Sequence, residues 1–599
     1  MNAGGLPRLE VTGLDAMSLA AQSLLNVWQS DKHDPRARLA HVEFHCQLID
    51  CDVLERITWA LFAWPHPARI LLVDRRFDSV IGEIACSVPI AAGGRADVAV
   101  WNDFWLLPGA NPVDSVRFDG RAECVSFPPR PVGGLTALDE RAAGRRERVW
   151  QNVQGLLGER ASALAYRAAQ RLLTWLRRIR ATPCTVNARS VEALRQASRP
   201  APGIDDAPDV ALFTARLSPG GAEKSALDLA TALVAQGHAV HLFTTLGSDN
   251  VWSARARSAG VRVVHLPEFL PRGCWLAYIC LYFERAAVAV LHISNSHWMY
   301  ENVHALKRQL PSLRVVSQLH AEGRPGTRDY LSLAADADDV IDRHSVISAF
   351  LRGRLIAREH IDAAKVAVVR TGIDVVKEFD GQSYGRGDWR QRYGMPPDAR
   401  LVVFVGRFSD IKRPLRFLDV AQLVLDRLPA TRFVMKGEGP LLETIERRLA
   451  SQPVLASAVL IEDASTPVQP LMVDADLLLL TSAMEGIAYV SYEAMALGLV
   501  QITTAVGGQA ELIADDCGRL IMPGEGEVQH FTDAVVELLE DDQRRRAMSA
   551  AAQRRIQAWP DIEDMAAAYR QLYHELVVPT GSECARNAAD SVWRTGIGG

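Results

Sequence analysis

The chain has 599 residues, a formal net charge of −5, 48% apolar residues and 23% charged ones. That length is too great for one hydrophobic core and calls for about three to four domains. The balanced charge removes any general basis for binding nucleic acid, and the apolar share is ordinary for a soluble enzyme.

Residues 1–140 form the first expected unit, an N-terminal α/β domain with no catalytic motif. Its strand candidates are Arg69–Asp74 and Asp97–Trp101, and Leu39–Asp74 has the strand, helix, strand order of a βαβ opening. Trp59, Trp64, Trp101 and Trp105 are its candidate core residues. Residues 141–206 read as a helical connector and linker. Between Arg160 and Arg180 lie six arginines and no acidic residue, interleaved with Leu164, Tyr166, Leu172, Leu173, Trp175, Leu176 and Ile179. Such a helix can lie on an anionic membrane surface, or dock on the next domain with its arginines in water. The run Ser198 to Gly203 then reads as a linker.

Residues 207–365 alternate strands and helices. Val210–Thr214 is a strand, and Gly220-Gly221-Ala222-Glu223 opens a helix with Ala226, Leu229, Leu233 and Val234 at helical spacing, closed by Gly237. Further strands fall at Ala239–Thr244, Val288–His292, Arg314–Leu319 and within Val340–Ile347. Residues 366–560 repeat the pattern with strands Leu401–Val405, Arg432–Met435, Leu477–Leu480 and Val500–Thr503. Alternation of this kind predicts two doubly wound, Rossmann-like parallel sheets facing a cleft, with ligands outside the strand C-termini. Residues 561–577 read as an amphipathic helix and 578–599 as a disordered tail.

Nine cysteines are scattered without a C-x-x-C pair, which predicts reduced thiols in a cytoplasmic protein and no zinc site. The start Met1-Asn2-Ala3-Gly4-Gly5 lacks the pattern of a signal peptide, and no run of about twenty apolar residues occurs.

The densest information lies in residues 481–496, where Glu485 and Glu493 stand eight positions apart. The preceding run Leu477–Leu480 reads as a buried parallel strand, and the following stretch favours helix up to Gly498. Glu485 is therefore expected in a strand-to-helix loop, with Glu493 about two turns into the helix. The helix start offers unpaired backbone N–H groups at Gly486, Ile487 and Ala488, an anion seat. Two glutamates at such spacing are, on their own, ordinary surface residues; carboxylates for hydroxyls beside amides for phosphate are what a nucleotide-sugar site needs.

The flanking sequence sharpens this. Glu485-Gly486-Ile487-Ala488-Tyr489-Val490-Ser491-Tyr492-Glu493-Ala494-Met495-Ala496, then Thr504 to Ile513, resembles the signature of the family 4 retaining glycosyltransferases, which have the GT-B fold. Gly406-Arg407-Phe408-Ser409-Asp410-Ile411-Lys412 resembles that family's motif whose Arg and Lys hold the donor diphosphate. The resemblance covers about residues 207–577. It implies that Arg407 and Lys412 neutralise the departing diphosphate, and that His320 faces the donor sugar near the reacting carbon. By the same resemblance Glu485 bonds sugar hydroxyls, Glu493 bonds ribose hydroxyls, and the Gly220-Gly221 loop lies against donor or acceptor. It implies an acceptor domain at 207–365, a donor domain at 366–560 and a last helix crossing back to the first. Two positions depart from the pattern. Ala488 stands where the family usually has Gly, and Arg370-Thr371 precedes Gly372-Ile373-Asp374 in place of the common Pro-Asn.

The expected activity is retaining transfer of a sugar from a UDP- or GDP-sugar to a glycan, lipid-linked or small acceptor in polysaccharide or glycolipid biosynthesis. No metal or other cofactor is expected: GT-B enzymes generally need none, and Asp336-Ala337-Asp338-Asp339, which has the spacing of an Asp-x-Asp metal pair, reads as a helix-to-strand connection. The expected location is the cytoplasm, with peripheral contact to the inner membrane face through residues 160–180. Two alternatives stand beside it: a nucleotide-sugar epimerase or phosphorylase of the same fold, and a non-catalytic interaction scaffold.

Overall fold

A computed structural model of the chain describes residues 208–577, short segments at 249, 270–271, 324–328, 380, 386, 397–398 and 465 excepted, and the backbone of six strands nearer the N-terminus. The expected strand Asp97–Trp101, the packing of the four tryptophans, the connector with its basic helix and the tail lie outside the described residues.

The N-terminal strands correct one expectation. Ala68–Asp74 pairs antiparallel with both Ser79–Cys86 and Ser115–Asp119, and Asn102–Leu106 completes this four-stranded sheet. The short strand Phe44–His45 belongs to a different sheet, where it pairs with Glu10–Val11. Leu39–Asp74 is therefore not a βαβ unit, which needs its two strands parallel in one sheet. A strand of alternating or mixed polarity reads the same in either setting, so sequence alone could not separate them.

The remaining described residues group into two compact units, 208–218 with 234–314 and 219–233 with 315–577. In the first, parallel strands run in the order Val290–Ser294, Val210–Thr214, Val240–Thr244, Arg262–His265. All five residues of each of the first three are buried, as strands covered on both faces must be. Phe213 stacks on Phe243 with ring centroids 4.6 Å apart, and Phe283 meets both edge-on.

The second unit holds the parallel strands Val366–Val368, Arg343–Val346 and Arg314–Leu319, in that order from the edge. It also holds a six-stranded parallel sheet ordered Val459–Glu462, Arg432–Lys436, Leu401–Val405, Leu477–Leu480, Val500–Thr504, Gly518–Ile521. Across the described residues two parallel α/β sheets result, of seven and six strands. Leu477–Leu480 is the predicted strand to the residue, four leucines with at most 2% exposure. Helix Pro414–Arg427 follows Leu401–Val405 and buries Phe417, Val420, Ala421 and Val424 on the stripe that its spacing predicts, with Pro414 in its first turn.

The C-terminal helix Ile562–Val577 is tied to strand Arg343–Val346 by a hydrogen bond of 2.7 Å between the hydroxyls of Tyr569 and Ser345. Its entry is fixed at Gly372, where any side chain would strike the carbonyl of Asp561. Trp559 Nε1 donates to the Thr371 carbonyl at 3.0 Å beside it. The departure Arg370-Thr371 is thus absorbed locally: the Arg370 guanidinium covers the Trp559 ring at 4.8 Å.

Candidate active site

The strand order fixes where chemistry can occur. From Leu401–Val405 the chain winds outward through Arg432–Lys436 to Val459–Glu462, then returns to place Leu477–Leu480 on the other side of Leu401–Val405. Two adjacent strands whose chains leave in opposite directions open a crevice at their C-terminal ends. The loop after the first carries Arg407 and Lys412; the loop after the second carries Glu485 and Gly486.

These loops meet. Lys412 Nζ lies 2.5 Å from Glu485 Oε1, with side-chain exposures of 29% and 8%. The Ala483 amide donates to the Ile411 carbonyl at 2.7 Å, and the Thr481 hydroxyl donates to the Arg413 carbonyl at 3.0 Å. Arg407 lies in the same loop as Lys412 and is exposed. The backbone around Arg407 is stitched to the neighbouring loop, with Gly406 N donating to Lys436 O at 3.0 Å and Phe408 N to Glu438 O at 2.7 Å.

Gly486 packs against the backbone of His320, which follows strand Arg314–Leu319. A Cβ at 486 would collide with the His320 carbonyl oxygen, so only glycine allows this approach. Gly507, at φ +61°, closes the other side, and a Cβ there would strike the Glu485 carbonyl. The structure therefore brings the His320 backbone, Glu485, Gly486 and Lys412 together, from three separate stretches of sequence.

The helix that begins this half of the site is Tyr489–Ala496. Glu493 is its fifth residue, so it lies about one turn into the helix rather than two. Ala488 also differs from expectation. Its amide donates to Gln509 Oε1 at 3.0 Å, so it is not open to an anion. A buried N–H ahead of the first turn needs a partner, and Gln509, with no exposed surface, supplies one. Gln509 Nε2 in turn reaches Thr503 Oγ1 at 3.1 Å. Ile487 is buried, 6% exposed, beside Gly508. Glu511, two residues after Gln509, caps a second helix: its carboxylate accepts from the Ala349 and Phe350 amides at 3.0 and 2.8 Å. The capping roles of Gln509 and Glu511 went unread in sequence, although both lie in the Thr504–Ile513 run that carried the resemblance.

Gly221, the first residue of helix Gly221–Ala235, touches this helix start too. A Cβ on it would come within 2.7 Å of Tyr489 Cβ. Gly220 lies one residue earlier, and its carbonyl accepts from the Lys224 amide at 2.8 Å. A charged cluster surrounds this contact. Lys224 Nζ pairs with Asp228 at 2.6 Å and with Glu378 at 2.8 Å, and the Tyr489 hydroxyl donates to Asp228 Oδ2 at 2.9 Å. Desolvation raises the Glu493 carboxyl to about 7; Lys224 opposes the rise, and Glu378 and Asp228 add to it. Desolvation likewise raises Asp228, against the pull of Lys224. One ammonium thus serves three carboxyls.

A cavity of about 750 Å³ opens at the opposite, N-terminal ends of the same strands, lined by Arg390, Arg400, Asp476, Asp542 and Arg545 among others. Three of its arginines are engaged: Arg390 and Arg545 pair with Asp476 at 3.2 Å each, and Arg400 with Asp542 at 2.8 Å. It lies away from the loops that ligands of open α/β sheets use. Among the described residues, no group of three His, Cys, Asp or Glu side chains is placed to hold a metal ion, and no helix is long and apolar enough to cross a membrane.

Residues 219–377 match the model described as Glycosyltransferase Family 4, and residues 385–555 match that of Glycosyl transferases group 1. The D-inositol 3-phosphate glycosyltransferase of Xylanimonas cellulosilytica is 25% identical over 389 residues, 58% of this chain and 91% of that protein. Its namesake from Corynebacterium urealyticum is 30% identical over 198 residues, 32% of this chain, and the match spans less than half, 46%, of that relative. Among solved structures, Anabaena HepE in complex with UDP-glucose superposes with a TM-score of 0.51 at 18% identity, over 61% of this chain and 99% of that one. That likeness, with the two parallel sheets, gives the GT-B fold.

Proposed function

Because residues 219–377 and 385–555 make this chain, over that part of its length, a family 4 glycosyltransferase, we propose that it transfers a sugar from a nucleoside-diphosphate sugar with retention of anomeric configuration. The observation that carries the reading is the Lys412–Glu485 pair at the sheet's switch point, with Gly486 seated on His320.

The reaction breaks the bond between the anomeric carbon and a phosphate oxygen, and negative charge grows on the departing diphosphate. Lys412 is a compact cation one side chain away from that charge, and Arg407 offers a planar fork of donors from the same loop. Preplaced donors of this kind lower the barrier because they need no reorganisation as charge develops. Glu485, 7% exposed, accepts hydroxyls of the transferred sugar, and His320 approaches the reacting carbon. Glu493 takes the ribose hydroxyls of the nucleotide. Gly220 and Gly221 give the donor close backbone access at a helix start.

The donor we favour is a UDP-sugar. HepE was solved with UDP-glucose, and that chain shares this fold. The acceptor reading is a glycan, a lipid-linked sugar or a small polyol, in polysaccharide or glycolipid synthesis; the inositol phosphate glycosyltransferases are relatives that act on a small polyol phosphate. The protein works without a bound metal in this reading, in the cytoplasm or at the inner face of the membrane.

The test is transfer from a panel of UDP- and GDP-sugars, with the product's anomeric configuration read by NMR. Retention is expected; an inverted product sinks the mechanism. Hydrolysis or epimerisation of donor in the absence of any acceptor, with no transfer when acceptors are added, would favour the epimerase or phosphorylase reading.

A further inference from the structure

Arg413, the residue after Lys412, adopts a left-handed backbone at φ +48°, a conformation that a long side chain adopts only when its surroundings impose it. Its guanidinium explains what imposes it. Nε donates to the Thr481 carbonyl at 2.5 Å, and one terminal nitrogen donates to the Ser482 carbonyl at 3.2 Å and the Thr504 hydroxyl at 3.3 Å. Both terminal nitrogens engage the carboxylate of Glu527, which is 3% exposed. The fork thus spans the ends of strands Leu477–Leu480 and Val500–Thr504 and the start of helix Glu527–Glu540. In return the Thr481 hydroxyl donates to the carbonyl of Arg413.

Resting on the reading of Lys412 given above, we propose that Arg413 is a positioning residue: it clamps the loop of Lys412 to the loop of Glu485 and so sets the geometry of that pair. The two neighbours divide the work. Lys412 reaches toward Glu485, while Arg413 turns into the sheet and engages all three of its nitrogens on backbone, hydroxyl and carboxylate. The left-handed turn at 413 is what sends the two side chains in different directions. A lysine at 413 would carry the charge for Glu527 without the planar fork that also reaches Thr481, Ser482 and Thr504.

The experiment is a double-mutant cycle on the full chain, with the UDP dissociation constant read by calorimetry for Lys412→Ala, Arg413→Gly and the pair together. Glycine removes the fork and suits the backbone. Arg413→Gly alone is expected to weaken UDP about tenfold, and the double variant to bind no more weakly than Lys412→Ala. Additive losses in the double variant overturn the proposal, since Arg413 would then act independently of Lys412. Arg413→Lys is expected to restore only part of the affinity; full restoration also overturns it. If Arg413→Gly does not fold, Glu527→Gln takes its place in the cycle.

Hydrogen exchange separates failure of this idea from failure of the donor reading. If Lys412→Ala binds UDP as wild type does, the diphosphate role of Lys412 falls, and the clamp is judged on exchange alone. Faster exchange at 406–413 and 481–488 in Arg413→Gly, in excess of the general rise that its lower melting temperature brings elsewhere, sustains it. Unchanged exchange in those segments overturns it.

Discussion

Lys412 Nζ sits 2.5 Å from Glu485 Oε1, so the cation proposed to receive the diphosphate is paired with the carboxylate proposed to receive the sugar. The pairing keeps Glu485 from being a buried unpaired charge and keeps Lys412 extended toward the crevice.

Lys412→Ala removes that cation. Loss of one charge-assisted contact should lower kcat/KM about ten- to a hundredfold. Glu485, with 8% side-chain exposure, loses the cation it faces, so a lower melting temperature is expected as well. Steady-state kinetics beside thermal melting checks both, and a near-normal kcat/KM would remove the diphosphate role.

Gly486→Ala forces a methyl group into the His320 carbonyl. Overpacking of this kind costs about 1–3 kcal/mol. The expected outcome is a folded protein with a lower melting temperature and activity reduced far beyond the stability loss, because His320 and Glu485 are both displaced. Kinetics within a few-fold of wild type would show that this contact does not set the site.

Glu493 predicts a pH dependence. Its carboxyl is raised from 4.5 to about 7 by desolvation, with Glu378 and Asp228 adding to the rise. Between those values the folded chain holds a proton that the unfolded chain has released, so this group's contribution to stability is lost as pH rises through about 7. Glu493→Gln should flatten that slope and raise the melting temperature on the alkaline side. UDP affinity in the wild type should strengthen as pH rises through neutrality, since the ionised carboxylate accepts more hydroxyl bonds. Lys224→Met removes the opposing cation and should move that transition to higher pH. Calorimetric titrations on either side of neutrality measure it, and a flat profile in wild type would contradict the assignment.

Tyr569→Phe deletes the hydroxyl that bonds Ser345. Both groups are buried, so the orphaned serine should cost about 1–3 kcal/mol. Denaturant unfolding reads the loss; an unchanged midpoint would mean that the C-terminal helix is held by packing alone.

Much of the second unit is legible in its sequence. Leu401–Val405 and Leu477–Leu480 are continuous apolar runs because both of their faces are covered, and such runs are hard to misread. The Gly-Arg and Glu-Gly segments stood out by residue type and resemblance. The antiparallel partners of Ala68–Asp74 were not legible, since strand direction depends on which distant segment lies alongside. The start of helix Tyr489–Ala496 was placed too early, because Gly486, Ile487 and Ala488 are fixed in the loop by His320, Gly508 and Gln509, not by their own propensities.

Sequence by itself determined the alternation of strand and helix, the apolar stripes, and the identities of His320, Arg407, Lys412, Glu485 and Glu493, because local patterning and residue chemistry are written in neighbouring positions. Only tertiary structure decided which of them meet. The ion pair between residues 412 and 485, the seat of Gly486 on His320, the clamp of Arg413 and the charge shared among Lys224, Asp228, Glu378 and Glu493 all join positions far apart in the chain. Their distances and their burial exist only once the sheet has brought its strand ends together, and burial is what raises the Glu493 and Asp228 carboxyls above their ordinary range.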